Sequence, residues 1–528
     1  MGNKKLQIWL PLLFALVLIA GMLIGYKLNK NNQNASGFFA GNSRNSLQQV
    51  LDLIQKRYVD SIDIDSLEGT AIQGIMSDLD PHSVYFPPAN LLAANEELAG
   101  NFDGIGVEFN VFADTVNVLY VIPDGPSDKA GVQIGDKIIS VNGHSLTRKS
   151  ITTDSIKNYI RGNSGSVANL SILRNQKKIS IDITRGSIPV PSIDAAYMID
   201  KTTGYIKLNK FTETSYEEFM KAMEQLKKQG LQNLIYDLRG NGGGFMNEAV
   251  DMADEFLDGN KLIVYTEGVN SSKKEYRCKR PGIFEKGKLV ILVDELSASA
   301  SEILAGALQD WCRATIIGRR TFGKGLVQEQ YSLDDGAAIR LTVARYYTPL
   351  GRCIQRSYKN GKKVYMDELW ERYKNGELIS LDSNKLHPDS KKFISGCHDT
   401  LYGGEGIIPN IFVPIDTTLS QRNMLKLFNS VNFSSIVYQY YLQHTTALDN
   451  YSSVSQFKKT FNSTALWNTF TIAAKKAGVT QFTAKEKAAL QERLLALLAR
   501  YKWRNDGYFE VVNSSDATIE EALQKLEN

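Results

Sequence analysis

Lys324 stands alone between two glycines in the loop that follows the apolar run ATIIG. Twenty-five positions earlier (324 − 299), a run of small residues, SASASE, contains Ser299. A serine hydroxyl attacks a carbonyl only if a base takes its proton, and a lysine stripped of water can be that base. The chemistry open to this pair is acyl transfer, and it implies no metal and no organic cofactor. Ser299-x-x-Glu302 is also a capping box, in which serine and glutamate satisfy the first N–H groups of a helix. The serine alone is therefore weak evidence, and the lysine in its glycine loop is what adds chemistry to a cap.

The elements around Ser299 suit the same chemistry. KLVILV, Lys288 to Val293, is a short apolar, β-branched run that reads as a buried strand, and Ile303, Leu304, Ala307, Leu308 and Trp311 recur at helical spacing. The serines thus sit on a strand-to-helix turn, where unpaired N–H groups at the helix start can hold a developing oxyanion. From Gly204 onward YIKL, Tyr216 to Lys228, LIYDL, Asn247 to Leu257 and LIVY alternate strand and helix patterns, which implies an α/β core. The apolar residues Phe245, Ile303 and Phe322 are candidates for the wall that desolvates Lys324.

SASASEI, the GKG loop with Gln328 four positions past the lysine, and upstream YDLRGNGGG at Tyr236 to Gly244 occur in one order and spacing that resemble the carboxyl-terminal processing, or tail-specific, serine peptidases. The resemblance covers roughly Ser46 to Pro414. It implies Ser299 as nucleophile, Lys324 as general base and then acid, and Gln328 as the group that orients the lysine. It also implies Gly243 and Ala300 as the two oxyanion N–H donors, with Gly242 and Gly244 left open in place of Gly243. GIGVEF at Gly104 to Phe109, followed by TVNVLYVI and GPSDKAGVQIGDKIISVNG, resembles a PDZ domain. There Gly104, Ile105, Gly106 and Val107 would receive a substrate tail, offering backbone donors to its carboxylate and an edge strand to the residues before it.

Rival readings fail on particular residues. Gly318-x4-Gly323-Lys324 approaches a nucleotide-binding P-loop, but Gly325 stands where a Ser or Thr must meet magnesium, and LVQEQYSL alternates like a strand. RGNGGG has contiguous glycines and does not fit a dinucleotide fingerprint. A Ser-His-Asp triad is not excluded, since His82, His144, His387, His398 and His444 are scattered, but there is no GxSxG elbow. Cys278, Cys312, Cys353 and Cys397 lie far apart with no CxxC pair, so their spacing signals neither a zinc site nor a disulfide framework, and Cys312 is expected in a helical core position. With 61 basic against 57 acidic residues, the charge gives no warrant for nucleic-acid binding.

The whole chain reads as an α/β serine peptidase core with an inserted PDZ domain, an N-terminal transmembrane anchor and a helical C-terminal extension. Leu6 to Tyr26 is uncharged and long enough to cross a bilayer, so residues 1–28 are expected to be a signal anchor, with membrane contact through residues 6–26. A linker follows at 29–45, then an N-terminal helical part of the peptidase at 46–88, with helices over Ser46 to Tyr58 and Ser66 to Asp78. The PDZ domain is expected at 89–185, the peptidase core at 186–418 and the extension at 419–528, while residues 357–398 show no pattern. The function expected is an extracytoplasmic serine endopeptidase, periplasmic in a diderm bacterium, acting on protein substrates near their C-termini. The alternative is a catalytically inactive PDZ adaptor of the same fold. The oligomeric state is open, a homo-oligomer included.

Overall fold

The computed structural model describes residues 46–147, 151–380 and 391–528, with the isolated positions Val17, Ile19, Gly21 and Met22. The expected membrane segment Leu6–Tyr26 lies almost wholly outside the described residues, among which no helix is long and apolar enough to cross a membrane. The chain divides into two compact units, 1–74 and 75–528. The first contains the helix Ser46–Arg57, where only Leu51 of the expected apolar stripe is buried. The helix Ile64–Leu79 runs from the first unit into the second.

What positions the site is the central sheet, whose strands run in the order Ile193–Met198, Thr203–Leu208, Asn233–Asp237, Lys288–Val293, Thr315–Gly318, Ile411–Phe412. The first pair is antiparallel and the remaining pairs are parallel. Asp237 pairs with Leu292, and Val293 with Gly318, so the loops after these three strands leave from one edge. The glycine loop, the serine turn and the lysine loop are those loops, and the carboxyl edge of a parallel sheet is where α/β proteins place their sites. KLVILV is buried over its last five residues because both faces of the sheet are covered. One face packs on Phe219, Phe256, Leu304 and their neighbours. The other carries Tyr205, Ile235, Val290 and Leu292 and is closed by Ile519, Ala522 and Leu526 of the last helix, Ala517–Glu527. The end of the chain is therefore part of the peptidase core layer. Its two large apolar side chains there contribute about 1.5–3 kcal/mol each.

A second sheet brings together Val84–Phe86, Ala338–Tyr347, Leu262–Gly268 and Ser271–Arg277, with Leu326–Ser332 also paired to Ala338–Tyr347. LIVY joins this sheet because Leu262–Gly268 continues into an antiparallel partner. The PDZ strands run in the order Val107–Phe112, Thr115–Val121, Lys137–Val141, Val167–Arg174, Lys177–Thr184. Val107–Phe112 is an edge strand, and the helix Thr153–Ile160 belongs to the same apolar cluster through Ile156 and Ile160.

The five helices between residues 422 and 512 pack into one cluster that also takes Phe112 and Leu119 from the PDZ sheet. Arg500 and Arg504 both donate to Glu108, at 2.7 and 2.9 Å, and Tyr438 donates to the Val118 carbonyl at 2.9 Å. Arg504 sits at a break inside Ala484–Val512, at φ 57° and ψ −149°.

One expectation needs correction, and one unassigned stretch takes a definite form. Cys312 lies beyond the end of the helix Ala300–Asp310, exposed, and forms a disulfide with Cys397 across a separation of 85 residues. Spacing could not show this pair, because chain folding alone brings the two ends of so long a loop together. The unpatterned stretch 357–398 contains the helix Lys362–Lys374, whose Tyr365 and Arg372 are buried against the lysine loop.

Candidate active site

Ser299 occupies the turn between Lys288–Val293 and Ala300–Asp310, at φ 56° and ψ −114°. An N-cap serine normally uses extended backbone, and a positive φ is costly for a side chain with a Cβ. The turn is held by what surrounds it. Ala298 N–H donates to the Asn241 carbonyl at 3.0 Å, Ser301 Oγ to the same carbonyl at 2.9 Å, and Ser297 Oγ to the Leu238 carbonyl at 2.8 Å. The glycine loop is thus fastened directly to the serine turn. At Gly243, with φ 95°, an added Cβ would stand 2.7 Å from Ser299 Cβ and 2.9 Å from Ala300 N. Only glycine lets the two backbones approach this closely.

Glu302 joins the serine turn to the lysine loop. Fully buried, its carboxylate accepts Ser299 N–H at 2.9 Å, Thr321 Oγ1 at 2.5 Å, Gly323 N–H at 2.7 Å and Lys324 N–H at 2.8 Å. Burial outweighs these four donors and lifts its carboxyl to about 7. The capping box was legible as a cap, but its link to Gly323 and Lys324 was not.

Lys324 Nζ donates to Gln328 Oε1 at 2.9 Å, and Gln328 Nε2 donates to the His82 carbonyl at 2.6 Å. The amide is thereby fixed with its oxygen toward the lysine. Lys324 keeps some exposure through the cavity it lines, but protein surrounds its ammonium. Burial, aided by the charge of Arg340 and opposed by Glu302 and Asp80, lowers it to about 8. The residues that clamp its loop are ones the sequence did not single out. Gly325 N–H donates to Gln355 Oε1 at 2.8 Å, Arg372 donates to the Thr321 carbonyl at 2.8 Å, and Tyr346 OH reaches the carbonyls of both Ser299 and Lys324.

Ser299, Lys324, Gln328, Gly242, Gly243 and Gly244 line one cavity of about 680 Å³. Phe245 and Ile303 form part of its wall as expected, whereas Phe322 packs behind it against His82 and Tyr365. The helix Pro88–Ala99 contributes Ala94, Glu97 and Leu98, although the expected boundary places most of it with the PDZ domain. Among the described residues Ala300 N–H has no acceptor, while Gly243 N–H donates to Asn241 Oδ1 at 2.8 Å. His82 does not line this cavity. Its ring bonds Tyr365 OH at 2.9 Å, and burial lowers it to about 3, so it is neutral.

The tail-binding candidates lie elsewhere. Gly104 ends the strand Asn101–Gly104 and pairs with Gly186, and Val107 begins the PDZ edge strand. Gly104, Ile105 and Gly106 are buried and not open as expected, because the pairing with Gly186–Pro189 brings Ile188 over the loop. The N–H groups of Ile105 and Gly106 donate to no described residue.

Residues 202–361 match Peptidase family S41, 118–174 a PDZ domain, and 24–88 the N-terminal domain of the activating protease CtpB. The carboxy-terminal processing protease CtpA of Bacillus subtilis is 32% identical over 388 residues, covering 73% of this chain and 81% of that protein. The chain belongs to the carboxy-terminal processing serine peptidases of family S41. A probable CtpA-like serine protease of Staphylococcus epidermidis is 33% identical over 350 residues, 66% of this chain and 69% of that protein. Among solved structures, the photosystem II D1 C-terminal processing protease is similar at 24% identity and a TM-score of 0.37, covering 71% of this chain and 88% of that one. This carboxy-terminal processing peptidase has in addition a match over 424–505 to a family of unknown function, which falls on the helices that hold Glu108 and Val118.

Proposed function

We propose that this peptidase cuts protein substrates near their C-termini with Ser299 and Lys324, and that its PDZ domain takes the substrate tail. The observation that carries the dyad is a lysine lowered to about 8 in the cavity that holds the serine, with its ammonium bonded to Gln328. A neutral amine can donate one N–H to Gln328 and turn its lone pair to Ser299 Oγ. It takes the hydroxyl proton as the oxygen attacks the scissile carbonyl, and then gives it to the leaving amine. Ala300 N–H, free at the helix start, meets the oxyanion. Gly243 N–H is the second donor once it exchanges Asn241 Oδ1 for the substrate oxygen.

The unpaired N–H groups of Ile105 and Gly106 beside an unpartnered edge strand support tail binding. The Cys312–Cys397 disulfide supports an oxidising, extracytoplasmic setting, periplasmic where the cell has two membranes, with residues 6–26 as the membrane anchor.

Ser299→Ala and Lys324→Ala should each abolish cleavage of a denatured protein substrate by the folded enzyme. The double variant should be no worse than either single, because residues that act as a unit are non-additive. Substantial turnover by folded Ser299→Ala would refute the dyad.

A further inference from the structure

The catalytic cavity holds a charge that the proposed reaction leaves unused. Three charged side chains besides Lys324 line it: Lys210, Glu97 and Arg340. Lys210 is ion-paired with Glu97. Arg340 has no ion pair with any described residue. It donates to Gln330 Oε1 at 3.0 Å and lies over the Phe86 ring at 4.8 Å. Burial disfavours its cation, with Glu97 the offsetting charge. Two cations face one carboxylate here, and the lysine must be neutral to act as base. A half-buried guanidinium whose planar fork has no anion is a receptor for a carboxylate.

The side of the cavity on which Arg340 sits decides which part of a substrate it meets. Phe86 lies two residues before the helix Pro88–Ala99, and Gln330, the partner of Arg340, is itself bonded to Asn95 of that helix at 3.0 Å. The helix leads through Gly100 into Asn101–Gly104, the strand that ends at the tail-binding loop. The helix also lines the cavity through Ala94, Glu97 and Leu98, so a tail held at that loop and cut at Ser299 would pass along it, with the segment beyond the scissile bond beside Arg340. Lys324, which gives its proton to the leaving amine, lies toward the same side: its partner Gln328 is two residues before Gln330 on the strand Leu326–Ser332, and Gln330 pairs with Arg340.

Resting on the proposed dyad and tail binding, we infer that Arg340 forms a subsite for a carboxylate on the leaving segment of the substrate, supplied by an Asp or Glu side chain or, in a segment too short to reach the tail-binding loop, by the segment's own end. Lys210 cannot serve in its place while Glu97 holds it.

The test uses the full chain and peptides with one fixed scissile bond and an amidated, apolar end, carrying Asp, Asn or Lys at each position beyond that bond. The Asn peptide is the internal reference for each enzyme. The wild type should favour Asp over Asn about tenfold at one position, and Arg340→Glu should favour Lys over Asn there. Arg340→Gln, which keeps a donor but no charge, should be indifferent, and it serves if the charge reversal does not fold. A second series, shortened stepwise with free or amidated ends, identifies the other source. A free-end preference at one length that disappears in Arg340→Gln assigns the subsite to the terminal carboxylate. Equal rates for Asp, Asn and Lys and for both ends in the wild type overturn the subsite, as does an acid preference that survives in Arg340→Glu. If Ser299→Ala is inactive while those null results hold, only the subsite falls. Cleavage by folded Ser299→Ala would instead remove the reading beneath it.

Discussion

Glu302→Gln tests whether one buried carboxylate holds the catalytic geometry together. The carboxylate accepts four hydrogen bonds, two at each oxygen: Ser299 N–H and Lys324 N–H at Oε2, Thr321 Oγ1 and Gly323 N–H at Oε1. An amide offers only one acceptor oxygen. With its oxygen toward Gly323, its NH₂ opposes two backbone N–H groups, each costing about 1–3 kcal/mol when left unpaired and buried. Turned the other way it opposes only Gly323 N–H, because the Thr321 hydroxyl can rotate to accept. The second orientation wins, so the expected loss of stability is about 1–3 kcal/mol. The segment that moves is the lysine loop, which makes three of the four bonds to Glu302. A misplacement of about 1 Å at a reacting group costs roughly a hundredfold in rate, so kcat should fall about 10–100-fold while KM stays within a few-fold. Denaturant unfolding gives the first quantity and initial rates on a peptide substrate the second. A Glu302→Gln enzyme with wild-type unfolding midpoint and wild-type kcat would refute this reasoning.

With Lys324 lowered to about 8, kcat/KM should rise with pH through about 8 as the free base forms. The sign for stability follows from proton counting. Between about 8 and its ordinary ~10.4 the folded state binds fewer protons than the unfolded state, so stability rises with pH in that window. Lys324→Met should flatten that rise in pH-resolved unfolding, and an unchanged slope would contradict the burial of this group. Reduction of Cys312–Cys397 should raise the titratable thiols in denaturant from two, Cys278 and Cys353, to four. It should also lower the unfolding temperature, by up to about 4–5 kcal/mol of stability for a loop this long; four thiols before reduction would mean the pair is open. Asp516→Asn retains a good cap for Ala517–Glu527 but loses the 2.7 Å ion pair with Arg239 of the glycine loop. A several-fold drop in kcat with KM unchanged is expected, and Asp516→Glu should restore part of it. An unchanged kcat would show that the C-terminal helix does not steady the glycine loop.

Local chemistry carried the sequence a long way. KLVILV reads as a buried strand because both its neighbours in the sheet are parallel and both faces are covered, and Ala300–Asp310 follows it as a helix buried along its whole length. GKG with Gln328 is legible because the lysine loop runs directly into the strand Leu326–Ser332, which places the lysine and its partner four residues apart. The PDZ strands are legible through the resemblance that GIGVEF and GDKIISVNG carry, and these residues form Val107–Phe112 and Lys137–Val141. Each of these signals is contained in a span over which the chain's own geometry fixes who meets whom.

What tertiary structure alone decided lies across long separations. Glu302 is an unremarked member of a capping box until Thr321, Gly323 and Lys324 arrive from the next strand of the sheet. Cys312 meets Cys397, Arg340 comes to share a cavity with Ser299, and the last helix covers Ile235 and Val290, with nothing in the intervening spacing to announce it. Residue type and a few neighbours marked Ser299 and Lys324 as a possible nucleophile and base, and the family resemblance marked the tail-binding loop. Only the folded sheet decided that the lysine would be poor in water, the histidine neutral and the arginine without a counter-ion. Those properties belong to burial and to distances between segments, and neither exists until the segments pack.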